Sequence, residues 1–156
     1  MKTTIKVMYF GFYFALYILA AAQRAQATLG EPADSVESDR KALSAVRHPT
    51  LSGNAYTVQE LESAANTVRE FISPSGVVFA IAWNGFSEPD LTILLGAYAR
   101  EYEQALLRTE IPKGRPFSQV KTGRVTVETW GHMRNLQGRA YLQDLIPPGV
   151  SIDKIK

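Results

Sequence analysis

The chain has 156 residues, 46% of them hydrophobic, with 17 basic residues against 15 acidic ones and no cysteine. That composition suits a packed core and excludes disulfide staples, thiolate metal sites, iron–sulfur clusters, a cysteine nucleophile and a lipidated cysteine anchor. The basic residues stand singly among acids, whereas a nucleic-acid interface needs them clustered on one face.

Residues 1–27 read as a cleavable signal peptide. Lys2 and Lys6 give a positive start, Val7 to Ala22 carries no charge, and Ala25-Gln26-Ala27 offers the small residues that signal peptidase accepts. As a helix the uncharged run spans only about 24 Å, against a hydrocarbon core of about 30 Å. Cleavage after Ala27 is expected, with no membrane association afterwards and a periplasmic or secreted location. The signal takes three basic residues and no acidic one with it, so the mature charge becomes about −1. The pI near 8.9 belongs to the precursor.

Residues 28–156 are expected to form a single globular α+β domain. Thr28 to Ala33 is a short leader. Asp34 or Ser35 caps a first helix predicted to reach about Val46, with Val36, Leu43 and Val46 on one side and Asp39, Arg40 and Lys41 between them. His48-Pro49 ends it, because a residue before proline is pushed out of helical geometry. Strand-like patterns follow at 56–61, 67–72 and 77–83, the last two joined by the turn Ser73-Pro74-Ser75-Gly76 into a hairpin. In the third run Val77, Phe79, Ile81 and Trp83 point one way and Val78, Ala80 and Ala82 the other, so both faces are apolar and the strand is central. The small alanines suggest a face that a helix can approach closely.

Pro89 and Asp90 open a second helix predicted to run unbroken to about Arg108, with Leu91, Leu94, Leu95, Tyr98, Tyr102 and Leu106 as its stripe. Pro112, Gly114 and Pro116 end it. Two further strands are expected at 124–130 and 138–142, and Pro147-Pro148-Gly149 opens a short, flexible C-terminal tail. The order predicts an antiparallel sheet of about five strands with two helices packed on one face.

Laid out in this way, the chain resembles a family of small exported bacterial proteins, domain of unknown function 2844. The likeness rests on Val68-Arg69-Glu70-Phe71-Ile72-Ser73-Pro74-Ser75-Gly76-Val77-Val78-Phe79-Ala80, Trp83-Asn84-Gly85, Pro89-Asp90-Leu91 and Leu94-Leu95-Gly96. It continues in Gly131-His132-Met133-Arg134, Gly138-Arg139-Ala140-Tyr141 and Leu145-Ile146-Pro147-Pro148-Gly149-Val150. The resemblance implies export and a bacterial source, and brings no activity or catalytic residues with it.

No catalytic residue, metal site or cofactor is assigned. His48 and His132 lie too far apart, without acid spacing, to make a zinc signature, and no Gly-x-Ser-x-Gly elbow occurs. The candidate ligand-binding residues are Trp83, Asn84 and Phe86 at the end of the central strand, and Trp130, His132 and Arg134 where a later strand turns. Loops at strand ends present side chains on rigid supports. Tyr98 and Tyr102 are read as core aromatics with wet edges. Arg69 and Glu70 face opposite ways, so one of them must share a face with the core; cross-strand ion pairs on a solvent-facing strand are preferred to a buried arginine beneath a pocket. The leading expectation is a non-enzymatic exported binding module for an unidentified small ligand or envelope protein. The alternatives are a small cell-envelope hydrolase using His132 with Glu128 or Asp144, and an accessory factor of an envelope or secretion complex.

Overall fold

The computed structural model describes residues 29–53, 55–109 and 117–156; the expected signal peptide lies outside the described residues. Eight strands form one antiparallel sheet: β1 (Val46–Arg47), β2 (Leu51–Ser52), β3 (Thr57–Glu62), β4 (Asn66–Ile72), β5 (Val78–Gly85), β6 (Phe117–Lys121), β7 (Val125–His132) and β8 (Asn135–Leu142). Their spatial order is β1-β3-β4-β5-β8-β7-β6, with β2 also against β3. The helices are α1 (Val36–Ala42), α2 (Leu91–Leu95) and α3 (Ala99–Arg108). The α+β class and the antiparallel sheet are as expected, but there are eight strands, not about five. The additional ones are short edge pieces, β1, β2 and β6, in which two to five residues carry too little alternation to register as strands.

The first helix stops at Ala42, before the expected Val46, because Ser44 takes a left-handed conformation with φ 50°. Ser44 N–H donates to Lys41 O (3.2 Å) and Ala45 N–H to Arg40 O (2.8 Å), a Schellman closure that normally uses glycine. The chain is thereby turned into β1, where Val46 pairs with Glu62. The second helix is likewise broken: α2 ends at Gly96, with φ 47°, and a 3-10 turn leads into α3. Asp90 caps α2 by accepting from Thr92 N–H at 2.9 Å.

The turn at residues 73–77 joins β4 to β5 as expected, and β5 is central, with β4 on one side and β8 on the other. Its face assignment differs from simple alternation. Phe71 pairs with Ala80 and Ile72 with Val78, so Phe79 is the extra residue of a β-bulge. The bulge turns Phe79 to the side of Ala80 and Ala82, and Val78 to the side of Ile81 and Trp83.

Two cores result. On one face α1, α2 and the start of α3 bury Val36, Leu94, Leu95 and Ala99 against Leu61, Val68, Ile81, Trp83, Val127 and Ala140. On the other, no α-helix among the described residues approaches the alanines. The C-terminal segment does: Ile155, completely buried, packs with Phe71, Phe79, Ala80, Ala82 and Tyr141, with Ile146, Val150 and Ile152 beside it. The expected tail is therefore part of the fold, and Ile155 alone contributes about 1.5–3 kcal/mol of apolar burial. The leader is fastened too, through Gly30 N–H to Val78 O (2.7 Å) and Val78 N–H to Glu31 O (3.0 Å).

Trp83 lies across Gly138, its cross-strand neighbour on β8. A Cβ at 138 would overlap the indole and stand 2.8 Å from the Glu128 carbonyl. Gly138→Ala is expected to cost about 1–3 kcal/mol, read as a lower urea midpoint at unchanged m-value. Ser44→Gly, which relieves the left-handed serine, is expected to raise stability by up to about 1 kcal/mol; a loss would show that the Ser44 side chain contributes more than the backbone costs.

Candidate binding site at the strand ends

One row of polar side chains crosses the face opposite the helices. Register places Glu60, Arg69, Ala82, Arg139, Glu128 and Gln119 side by side on six successive strands. Arg69 Nε donates to Glu60 at 2.7 Å and Arg139 Nε to Glu128 at 2.6 Å, and Gln119 adds a bond to Glu128 at 2.6 Å. Ala82 leaves room between the two arginines for the C-terminal segment. Arg139 donates to Ile152 O at 2.7 Å and Arg69 to Lys156 O at 3.4 Å. Arg69 is thus in the cross-strand ion pair expected from the sequence, but on an interior strand and half-buried instead of solvent-facing, while Glu70 is turned into the helix-side core.

The row supports the surface beside it. The Arg139 guanidinium lies 5.5 Å from the centre of the Trp130 ring, holding that ring in place from one side. Trp130 Nε1 donates to Gln137 at 3.1 Å, and Gln137 donates to Asn135 at 3.0 Å, so a chain of hydrogen bonds runs to the β7–β8 turn. Phe117, half exposed, stands opposite Trp130 on the edge strand. A depression of about 230 Å³ here is bordered by Arg69, Asn84, Trp130, Asn135 and Gln137.

A second depression, of about 290 Å³, adjoins it through Asn84 and Asn135. Phe86 and Arg134 flank it, with Asn66 and the β3–β4 turn at its back. Phe86 leaves β5 with its N–H bonded to Ala65 O at 2.8 Å, which fixes the exit while the ring remains 69% exposed. Arg134 occupies the second position of a two-residue turn, Met133-Arg134, closed by the His132 and Asn135 pair. Its φ is 71°, a left-handed conformation that costs a residue with a Cβ roughly 1 kcal/mol or more. The side-chain carbonyls of Asn84 and Asn135 accept from Arg69 and Gln137, and no bond from either Nδ2 occurs among the described residues. The surface therefore offers amide and guanidinium donors beside aromatic rings.

Of the six predicted site residues the structure brings Asn84, Phe86, Trp130 and Arg134 to this continuous surface. Trp83 also borders the smaller depression, but its side chain is 3% exposed and packs in the helix-side core with Ile81, two residues before it on the same face. His132 is exposed at the turn. It has no acid partner among the described residues: Glu128 is committed to Arg139, and Asp144 follows the opposite end of β8. The other histidine, His48, pairs with Glu62 at 2.7 Å on the surface. Tyr98 and Tyr102 pack against the helix-side core. No group of three or more His, Asp or Glu side chains could hold a metal ion among the described residues, and no described helix is long and apolar enough to cross a membrane.

Sequence reasoning missed Asn66, Asn135, Gln137 and Arg139. Polar side chains of this kind carry no local signature, and only strand register lines them up. Asp39 and Glu70 were missed as a pair, although Asp39 sits between Val36 and Leu43 on the helix stripe.

The fold and this surface define a small α+β protein built on one antiparallel sheet, with a donor-rich, aromatic-edged surface where strand ends meet. A match to the family described as "Protein of unknown function (DUF2844)" spans residues 25–155, and the chain belongs to that family. No curated protein and no solved structure matches it.

Arg139 links the charged row to Trp130, and Glu128 beside it is 7% exposed. Arg139→Ala should cost about 3–5 kcal/mol by leaving that carboxylate buried without its partner, whereas Arg139→Met combined with Glu128→Leu should recover most of the loss. Equal urea midpoints for the single and double variants would show that the charge pair is not what stabilises this face.

Proposed function

We propose that this protein is an exported, non-enzymatic binding module whose ligand rests on the strand-end surface between Phe86, Arg134 and Trp130. The observation that carries the reading is Arg134. A non-glycine residue held at φ 71° at a surface turn is disfavoured, and its side chain borders the 290 Å³ depression together with an aromatic ring that is 69% exposed. Backbone strain concentrates where a side chain is needed for something other than folding. The donors of Arg134, Asn84 and Asn135 beside Phe86 and Trp130 suit an acceptor-rich ligand with an apolar face. The start of the family match at residue 25, beside Ala25-Gln26-Ala27, supports the division between signal and domain.

The accessory-factor reading uses the same surface: Met133, 91% exposed at the tip of the turn, and Phe86, 69% exposed, are the apolar groups a protein partner in the envelope would contact. Both readings place the contact on the same strand ends.

Arg134→Gly separates folding from binding. It should leave the thermal midpoint equal or higher while abolishing retention of the ligand, and Phe86→Ala should weaken retention by tenfold or more, about 1.4 kcal/mol. Native mass spectra of the protein taken from the envelope fraction of its host provide the measurement. They are expected to show a chain beginning at Thr28 with a bound species that both variants lose. Equal retention by all three proteins, or an intact Met1, would count against the proposal.

A further inference from the structure

The helix-side core contains two acids where an apolar pair would be expected. Asp39, from α1, and Glu70, from β4, are both completely buried, and none of their four carboxyl oxygens receives a donor from another type of group among the described residues. Each is the other's neighbour, with Ser35, one helical turn before Asp39, also buried and unpartnered. Register sets Gln59 and Ile81 on either side of Glu70. Gln59 is already committed, accepting from Arg47 Nε at 2.6 Å and donating to Thr50 Oγ1. The helix-side core in which α1 and β4 take part is otherwise apolar, with Val36 of α1, Leu61 of β3, Val68 of β4, and Leu94 and Leu95 of α2. Among charged groups, Arg47 of β1 favours the ionised form of Glu70. The other charges of α1, Glu37, Arg40 and Lys41, are tied to one another at the surface.

Two carboxylates cannot both stay ionised in such a place, since the buried charges repel and neither has a counter-ion in contact. Protons resolve the conflict, because each protonated carboxyl supplies the donor that the other lacks. We propose that Asp39 and Glu70 form a proton-held latch that fastens α1 and the leader to the sheet in acid solution and releases them as the pair loses its protons with rising pH.

Burial pushes Asp39 up to about 7, against a lowering hydrogen bond from Glu70. Burial, then the charge and hydrogen bond of Asp39, push Glu70 well above the usual carboxylate range. Both shifts are upward, so above about pH 4 the folded chain holds protons that the unfolded chain has lost. The latch is complete below the ordinary carboxyl range and fails as pH rises through neutrality. It is independent of the strand-end surface.

Hydrogen exchange of the α1 amides, corrected for the intrinsic pH dependence of exchange, reads the latch directly, with β7 and β8 amides as the internal reference. Between about pH 5 and about pH 8.5, protection of α1 should fall by about tenfold or more while β7 and β8 change less. In Asp39→Asn combined with Glu70→Gln, α1 protection should no longer depend on pH. Carboxyl carbon NMR of the unmodified protein provides a second measurement that needs no variant, and at pH 7 it should find at least one of the two groups protonated. Flat α1 protection, ordinary titration of both carboxyls, or unchanged pH dependence in the folded double variant would overturn the proposal. So would recovery of α1 protection at pH 8.5 on adding calcium or magnesium, which would assign the pair to a cation instead.

Discussion

Strand β5 is covered on both faces, and most of the architecture answers that requirement. From Val78 to Trp83 it carries no polar side chain, and each of these six residues is 3% exposed or less. A strand of this kind needs a neighbour on each edge and a layer above and below. The edges are met by β4 and β8, and the layers by the helices on one side and the C-terminal segment on the other. The bulge at Phe79 is what divides the strand between the two layers. It sends a large ring to the thin C-terminal layer, where Tyr56, Phe71 and Phe79 pack edge to face, and keeps Ile81 and Trp83 under the helices. Ala80 and Ala82 then leave the space that Ile155 fills.

The two layers treat buried charge in opposite ways. Beneath the C-terminal segment, Arg139 and Glu128 are paired at 2.6 Å, Gln119 adds a second donor, and the arginine bonds Ile152 O. The row is satisfied on every side and secures the last residues to the sheet. Beneath α1, Asp39 and Glu70 are both buried with no cation in contact among the described residues, so their protonation becomes part of folding. One face is thereby held by ion pairs, and the other by protons that rising pH removes.

The strand ends gather what neither layer uses. Turns at 63–65 and 133–134 and the exit from β5 meet at one rim, and their exposed groups, Phe86, Met133 and Arg134, contribute little to packing. The adjoining Trp130 is different, since Arg139 and Gln137 hold its ring in a fixed position. An exposed rim beside a fixed aromatic is a suitable arrangement for a binding surface, because the fixed ring lowers the entropy lost on contact.

The sequence by itself determined the central strand, the turn at 73–76, the presence of the two helical regions and the pairing of residues 124–130 with 138–142, because hydrophobic period and turn chemistry are local properties. It also carried the family likeness and four of the site residues, which lie at strand ends that Gly and Asn mark. Only the tertiary structure decided which layer covers Trp83 and which way Val78 and Phe79 face, since one bulged residue reverses the alternation before Ala80. The same holds for the place of Ile155, for the row of five polar side chains across the sheet and for the meeting of Asp39 with Glu70. These depend on register and on contacts between residues far apart in the chain, about which no local pattern carries information.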